Sequence, residues 1–117
     1  MDVLKENVMK MTIISKCCLL NMILAAPLVF ATEHEIIQLD KKFNVQEITI
    51  KPGDSIKFKN KEKDITHNVF SLGPKNAFEL KSQLPGQESK VEFKEPGTTE
   101  VECAIHQTMK LKVTVKK

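Results

Sequence analysis

Glu100-Val101-Glu102-Cys103-Ala104-Ile105-His106-Gln107-Thr108-Met109-Lys110-Leu111-Lys112-Val113-Thr114-Val115-Lys116 is the stretch from which the rest of the chain can be read. Both flanks alternate polar and apolar residues at period two, the pattern of half-buried strands. That period puts Val101 and Cys103 on one inward face and Leu111, Val113 and Val115 on another. Between the flanks, a thiol, an imidazole and a thioether stand at Cys103, His106 and Met109. The stretch reads as two strands joined by a short loop that carries three candidate metal ligands.

Working outward, Ser55-Ile56-Lys57-Phe58-Lys59 and Lys90-Val91-Glu92-Phe93-Lys94 repeat the alternation. Segments 36–39, 43–50 and 66–72 supply further short apolar runs, and residues 73–88 are the least regular. Three Pro-Gly pairs, in Lys51-Pro52-Gly53-Asp54, Leu84-Pro85-Gly86-Gln87 and Glu95-Pro96-Gly97-Thr98, punctuate these runs. Proline presets φ at the first central turn position and glycine accepts positive φ at the second, so each predicts a type II reversal. About seven or eight short strands at this spacing predict an all-β domain, a sandwich or barrel.

The start of the chain is different. Lys5, Lys10 and Lys16 precede an apolar run from Cys17 to Phe30, which ends in Val29-Phe30-Ala31 before the polar Thr32-Glu33-His34. Basic, apolar and small residues in that order predict a secretory signal peptide over residues 1–31, cut after Ala31, with a single domain over 32–117. A membrane span would need about 20 apolar residues; this run is shorter and contains Asn21 and Pro27. The expected product is periplasmic or otherwise exported, with no membrane span in the mature form.

Composition narrows the function classes. Of the 18 basic and 15 acidic residues, Lys5, Lys10, Lys16, Asp2 and Glu6 leave with the leader, so the domain is close to neutral. All basic residues are lysines, and none can read phosphates or bases in the bidentate way of arginine, so no nucleic-acid partner is expected. Cys17 and Cys18 also leave, which makes Cys103 the only cysteine of the domain and excludes an internal disulfide. Met109 is likewise its only methionine, and His67 and His106 are two of its three histidines.

A thiolate, two imidazoles and a weak thioether form the donor set of a blue-copper electron-transfer site. Thiolate and thioether suit Cu(I), imidazole suits both oxidation states, and a shared geometry lets the electron arrive with little movement. Metal candidates are thus His67, Cys103, His106 and Met109, with one mononuclear copper as the expected cofactor. Structural zinc would normally bring paired cysteines and no methionine. A catalytic Cys-His pair needs an orienting group around an open cleft, which a tight two-residue spacing does not favour. No catalytic residues are expected.

Over residues 35–116 the chain resembles the cupredoxins. The resemblance is carried by Lys51-Pro52-Gly53-Asp54, Thr66-His67-Asn68-Val69-Phe70-Ser71, Glu95-Pro96-Gly97 and the Cys-x-x-His-x-x-Met loop. In loop length it is most similar to amicyanin and the plastocyanin-like proteins linked with methylamine utilisation. The resemblance implies a Greek-key sandwich of eight strands, with His67 arriving from one loop and the other three ligands from the loop between the last two strands. It also implies that the Asn68 amide points at the Cys103 sulfur while its side chain ties the two loops together. Ala104 stands where a hydroxyl or amide residue commonly meets that asparagine, and Gln107 replaces a frequent proline.

The expected function is one-electron shuttling by a monomer between redox proteins, a cytochrome or a dehydrogenase, without enzymatic turnover. The alternative is a copper carrier or assembly factor that delivers metal without redox cycling. An apolar collar around His106 is expected from Ile105, Leu72-Gly73-Pro74 and Phe78, and lysines 57, 59, 61, 63, 75, 110 and 112 are candidates to steer an acidic partner. Cleavage after Ala31 would also leave Thr32-Glu33-His34 with the amine, amides and imidazole of a square-planar Cu(II) or Ni(II) chelate.

Overall fold

The computed structural model describes residues 23–117. The basic segment and the first part of the apolar run expected of a leader therefore lie outside the described residues. Residues 23–32 have no regular secondary structure, and no helix among the described residues is long and apolar enough to cross a membrane.

Strands follow in the order β1 (Glu33–Leu39), β2 (Lys42–Phe43), β3 (Glu47–Ile50), β4 (Ser55–Asn60), β5 (Val69–Ser71), β6 (Phe78–Glu79), β7 (Glu88–Glu92), β8 (Gly97–Cys103) and β9 (Lys110–Val115). They form two sheets, β2-β1-β4-β7 and β3-β9-β8-β5-β6. β1 lies parallel to β4 and β3 parallel to β9, and the other pairings are antiparallel. The alternation left a sandwich or a barrel open and the resemblance implied a sandwich; an all-β sandwich is the fold observed. The count rises to nine because residues 43–50 divide into two strands and the irregular stretch holds the two-residue β6.

Alternation sets the layers. In β4 Ile56 and Phe58 are fully buried, and in β9 Leu111, Val113 and Val115 face the same interior. Phe58 stacks on Phe78 with ring centroids 5.9 Å apart, and Phe78 meets Phe93 edge-on at the same distance. Burying side chains such as Phe58 and Phe93 contributes about 1.5–3 kcal/mol each. The outer face of the first sheet carries ion pairs from Lys57 to Glu33 (2.8 Å) and from Lys59 to Glu35 (2.9 Å), with Glu88 farther off. Solvent screens pairs at such an exposed face, so they count for little beside the core.

Two Pro-Gly pairs make the expected reversals: Asp54 N–H donates to Lys51 O and Gln87 N–H to Leu84 O, both at 3.0 Å, with Gly53 and Gly86 at φ of 92° and 84°. At the third pair the chain instead enters β8, with Gly97 at φ 138° and the Lys75 ammonium on Pro96 O.

Candidate metal centre

Strand pairing builds half of the site. The β5–β8 ladder sets Val69 opposite Cys103, and two bonds extend it: Ala104 N–H donates to Asn68 O at 2.9 Å, and Asn68 N–H points at Cys103 Sγ at 3.4 Å. Cys103, at the inward end of β8, is 2 % exposed. A turn returns the chain to β9, closed by Met109 N–H donating to His106 O at 3.0 Å. Met109 itself is buried.

His67 is held by partners far away in the chain. Its backbone exchanges two hydrogen bonds with Gln83, at 2.7 and 3.0 Å. The buried Gln83 side chain donates to Phe58 O at 2.9 Å and accepts from Gln38 Nε2 at 2.6 Å. Asn60 Nδ2 donates to Gln83 O and Ile65 O, and Asn60 Oδ1 accepts from Glu62 N–H. The buried Glu62 carboxylate then meets His67 Nε2 at 3.1 Å and accepts from Lys41 N–H at 2.7 Å. Burial opposes the charge on Glu62, but the Lys41 amide and the His67 ring together hold its carboxyl below the usual carboxylate range. An ionised acceptor at Nε2 keeps the ring proton there and leaves the Nδ1 lone pair free.

That Nδ1 lies 3.7 Å from Cys103 Sγ and 3.2 Å from His106 Nδ1, and the third side of the triangle, Cys103 Sγ to His106 Nδ1, is 3.8 Å. A point equidistant from the three atoms lies about 2.1 Å from each, within the range of roughly 2.0–2.3 Å at which nitrogen and sulfur donors bind a first-row metal. Burial, followed by the neighbouring His67, lowers the His106 pKa, which favours the neutral ring that a metal requires. Of the four sequence-predicted residues, the structure brings His67, Cys103 and His106 into one donor cluster, with Met109 buried at the end of the same loop.

Sequence reasoning missed Gln38, Asn60, Glu62 and Gln83. Only the placing of polar residues at inward positions of β1 and β4 hinted at the first two. With Ala104 in place of a hydroxyl or amide residue, Asn68 Oδ1 is buried without a hydrogen-bond partner among the described residues. The loops are joined by backbone bonds and not by that side chain.

The expected collar is only partly present. Ile105, beside His106, is 53 % exposed, but Phe78 is partly buried and packs against the core. Leu72 follows β5, which runs away from Cys103, so it lies off the site although it is exposed. Leu39 and Leu84, next in sequence to the bonded pair Gln38 and Gln83, are also exposed.

The family model for copper binding proteins of the plastocyanin/azurin family matches residues 31–116. No curated protein matches the chain. Among solved structures it is similar to amicyanin from Paracoccus versutus, with 27 % identity over 75 % of this chain and 85 % of that one and a TM-score of 0.66. A purple cupredoxin from Nitrosopumilus maritimus is 19 % identical over 71 % of this chain and 99 % of that one, with a TM-score of 0.62. A copper-containing nitrite reductase from Thermus scotoductus SA-01 shares the fold at 20 % identity and a TM-score of 0.67; the match covers 80 % of this chain but only 24 % of the reductase. Family match, fold and a type 1 arrangement of donors agree, and the chain belongs to the plastocyanin/azurin family of copper binding proteins.

Proposed function

We propose that His67, Cys103, His106 and Met109 hold one copper ion and that the protein carries single electrons between redox partners without catalysing a reaction of its own. The observation that carries this reading is the triangle of His67 Nδ1, Cys103 Sγ and His106 Nδ1, buried on two of its three corners. Bound copper would supply the one-electron couple. The protein's part is to keep the donors in place in both oxidation states. The β8–β9 ladder fixes Cys103 and Met109, Glu62 holds the His67 proton on Nε2, and the Asn68 amide faces the sulfur. His106, half-buried beside exposed Ile105, is the ligand nearest to solvent and the natural exit for an electron.

The partner we expect is acidic. Lys57, Lys59 and Lys110 are paired with glutamates, and Lys75 is turned to Pro96 O, so they are withdrawn from the steering role. Lys41, Lys61 and Lys63 form no ion pair among the described residues and sit on the segments around Glu62; the charge of Lys41 is felt at His106. Export follows from the leader-like segment ahead of Thr32.

Voltammetry of the copper-loaded protein tests the function. A reversible one-electron wave with the metal retained over repeated cycles is the expected result. Release of Cu(I) to a competing chelator on each reduction would instead identify a copper carrier.

A further inference from the structure

Asp54 closes the Lys51–Asp54 turn at the end of β4 remote from Asn60, and the residue is 4 % exposed. Thr32 N–H donates to Oδ1 at 2.8 Å, while Lys51 N–H and the His34 Nε2 atom both lie 3.0 Å from Oδ2. Ser55 N–H donates in turn to Thr32 O. Residues 23–31 are exposed and lack regular structure. Thr32 is thus where the backbone first binds into the sandwich, and its nitrogen is spent on a buried carboxylate.

Among the described residues that carboxylate's ion-pair partner is the His34 ring, which carries a charge only when protonated; Lys51 offers its backbone amide and not its ammonium. An ionised group withdrawn from water is costly unless a counter-charge accompanies it. We propose that the chain is processed between Ala31 and Thr32, and that the α-ammonium group so released pairs with Asp54 and latches β1 onto β4. The cut is a hydrolysis by a leader-cleaving endopeptidase. Water adds across the Ala31–Thr32 amide, Ala31 leaves as a carboxylate, and the Thr32 nitrogen takes up a proton where it already stands. The counter-charge appears with no movement of the fold.

The same contacts oppose the amino-terminal chelate. Wrapping a square-planar ion would pull Thr32 N and His34 off Asp54 and break the register of Glu33 with Ser55 and His34 with Ile56.

The pH dependence has two limbs. Asp54 is held at about 2 against an ordinary 3.8, by the Thr32 bond first and then by His34 and Lys51. Its contribution is present above 3.8 and is lost as pH falls towards 2. An α-amine, ordinarily near ~7.7–8.0, is raised by pairing, so its contribution is complete below that range and is lost as pH rises through the folded value. His34, Lys51, Lys116 and Lys117 on one side, and Lys90 and Glu92 on the other, face the same corner and are the same in the free-amine and acetylated forms.

The test compares mature protein that begins at Thr32 with the same protein acetylated on its amino terminus, which keeps the N–H donor and removes the charge. At pH 6–7 the free-amine form should melt higher by roughly 4–8 °C. The gap should close above pH 9 and be absent in Asp54→Asn. Equal melting at pH 6–7, or the same gap in Asp54→Asn, overturns the latch; if that variant does not fold, the acetylated form decides alone. An exported chain whose mass places its first residue elsewhere overturns the processing site. A second, colourless Cu(II) equivalent lost in His34→Ala would show the chelate in place of the latch. The visible copper band should be unchanged by acetylation, so failure here is distinguishable from failure of the copper assignment.

Discussion

Cys103, His106 and Met109 stand close together on one loop whose ends are fixed by the β8–β9 ladder, whereas His67 is held from Asn60, Glu62 and Gln83 and, through Gln83, from Gln38 and Phe58. In the loop, regular strand pairing does the positioning, and its exposed residues Ala104, Gln107 and Thr108 can vary at little cost. Around His67 each buried polar group depends on the others. Removing one leaves its partners unsatisfied in a dry interior, at about 1–3 kcal/mol for each group stranded. The two halves of one centre should therefore respond very differently to substitution.

Copper itself should give the largest effect, because it joins the two halves. A ligand that binds only the folded state at a free concentration about a thousand times its Kd adds about 4 kcal/mol. Thermal melts of apo and loaded protein should differ clearly in the wild type and much less in Cys103→Ser. Next, Gln83→Ala should cost about 2–4 kcal/mol in urea titrations of the apo protein, since it removes a buried side chain and strands Gln38 and Phe58 O. Gln107→Ala, in the loop, should stay within about 0.5 kcal/mol of wild type. Equal costs for these two would show that the network around His67 is no more sensitive than the loop.

Glu62→Ala should weaken copper binding by about 10–100-fold, the usual consequence of losing the acceptor behind a metal-binding histidine, and Glu62→Gln, which keeps an oxygen facing Nε2, should lose less. Competition with a chelator of known affinity measures both. One substitution in the loop should act in the opposite direction. Ala104→Ser offers the stranded Asn68 Oδ1 a hydroxyl donor and should stabilise the protein by about 0.5–1.5 kcal/mol.

The same contrast explains what could be read from the chain alone. Alternation at 55–59 and 110–116 makes β4 and β9 legible, because one buried face leaves a period-two trace. The ligand loop was legible because its chemistry is contiguous and its sulfur residues are unique in the domain. His67 was legible as a residue type, but its support was not: Gln38, Asn60, Glu62 and Gln83 meet only after β1, β4 and the segment before β7 have assembled. Residues 73–88 hid both β6 and Gln83, since a two-residue strand and an isolated bridge to His67 have no period to detect. The collar failed in the same way, as Phe78 and Leu72 are distinguished by the direction in which β5 leaves Cys103 and not by their composition.

If Cys103 sulfur binds copper beside His67 and His106, the absorption spectrum of the purified domain with one equivalent of Cu(II) will carry its signature. An intense visible band from sulfur-to-copper charge transfer, absent in Cys103→Ser, is the predicted result. A colourless Cu(II) complex with nitrogen and oxygen coordination alone would contradict it.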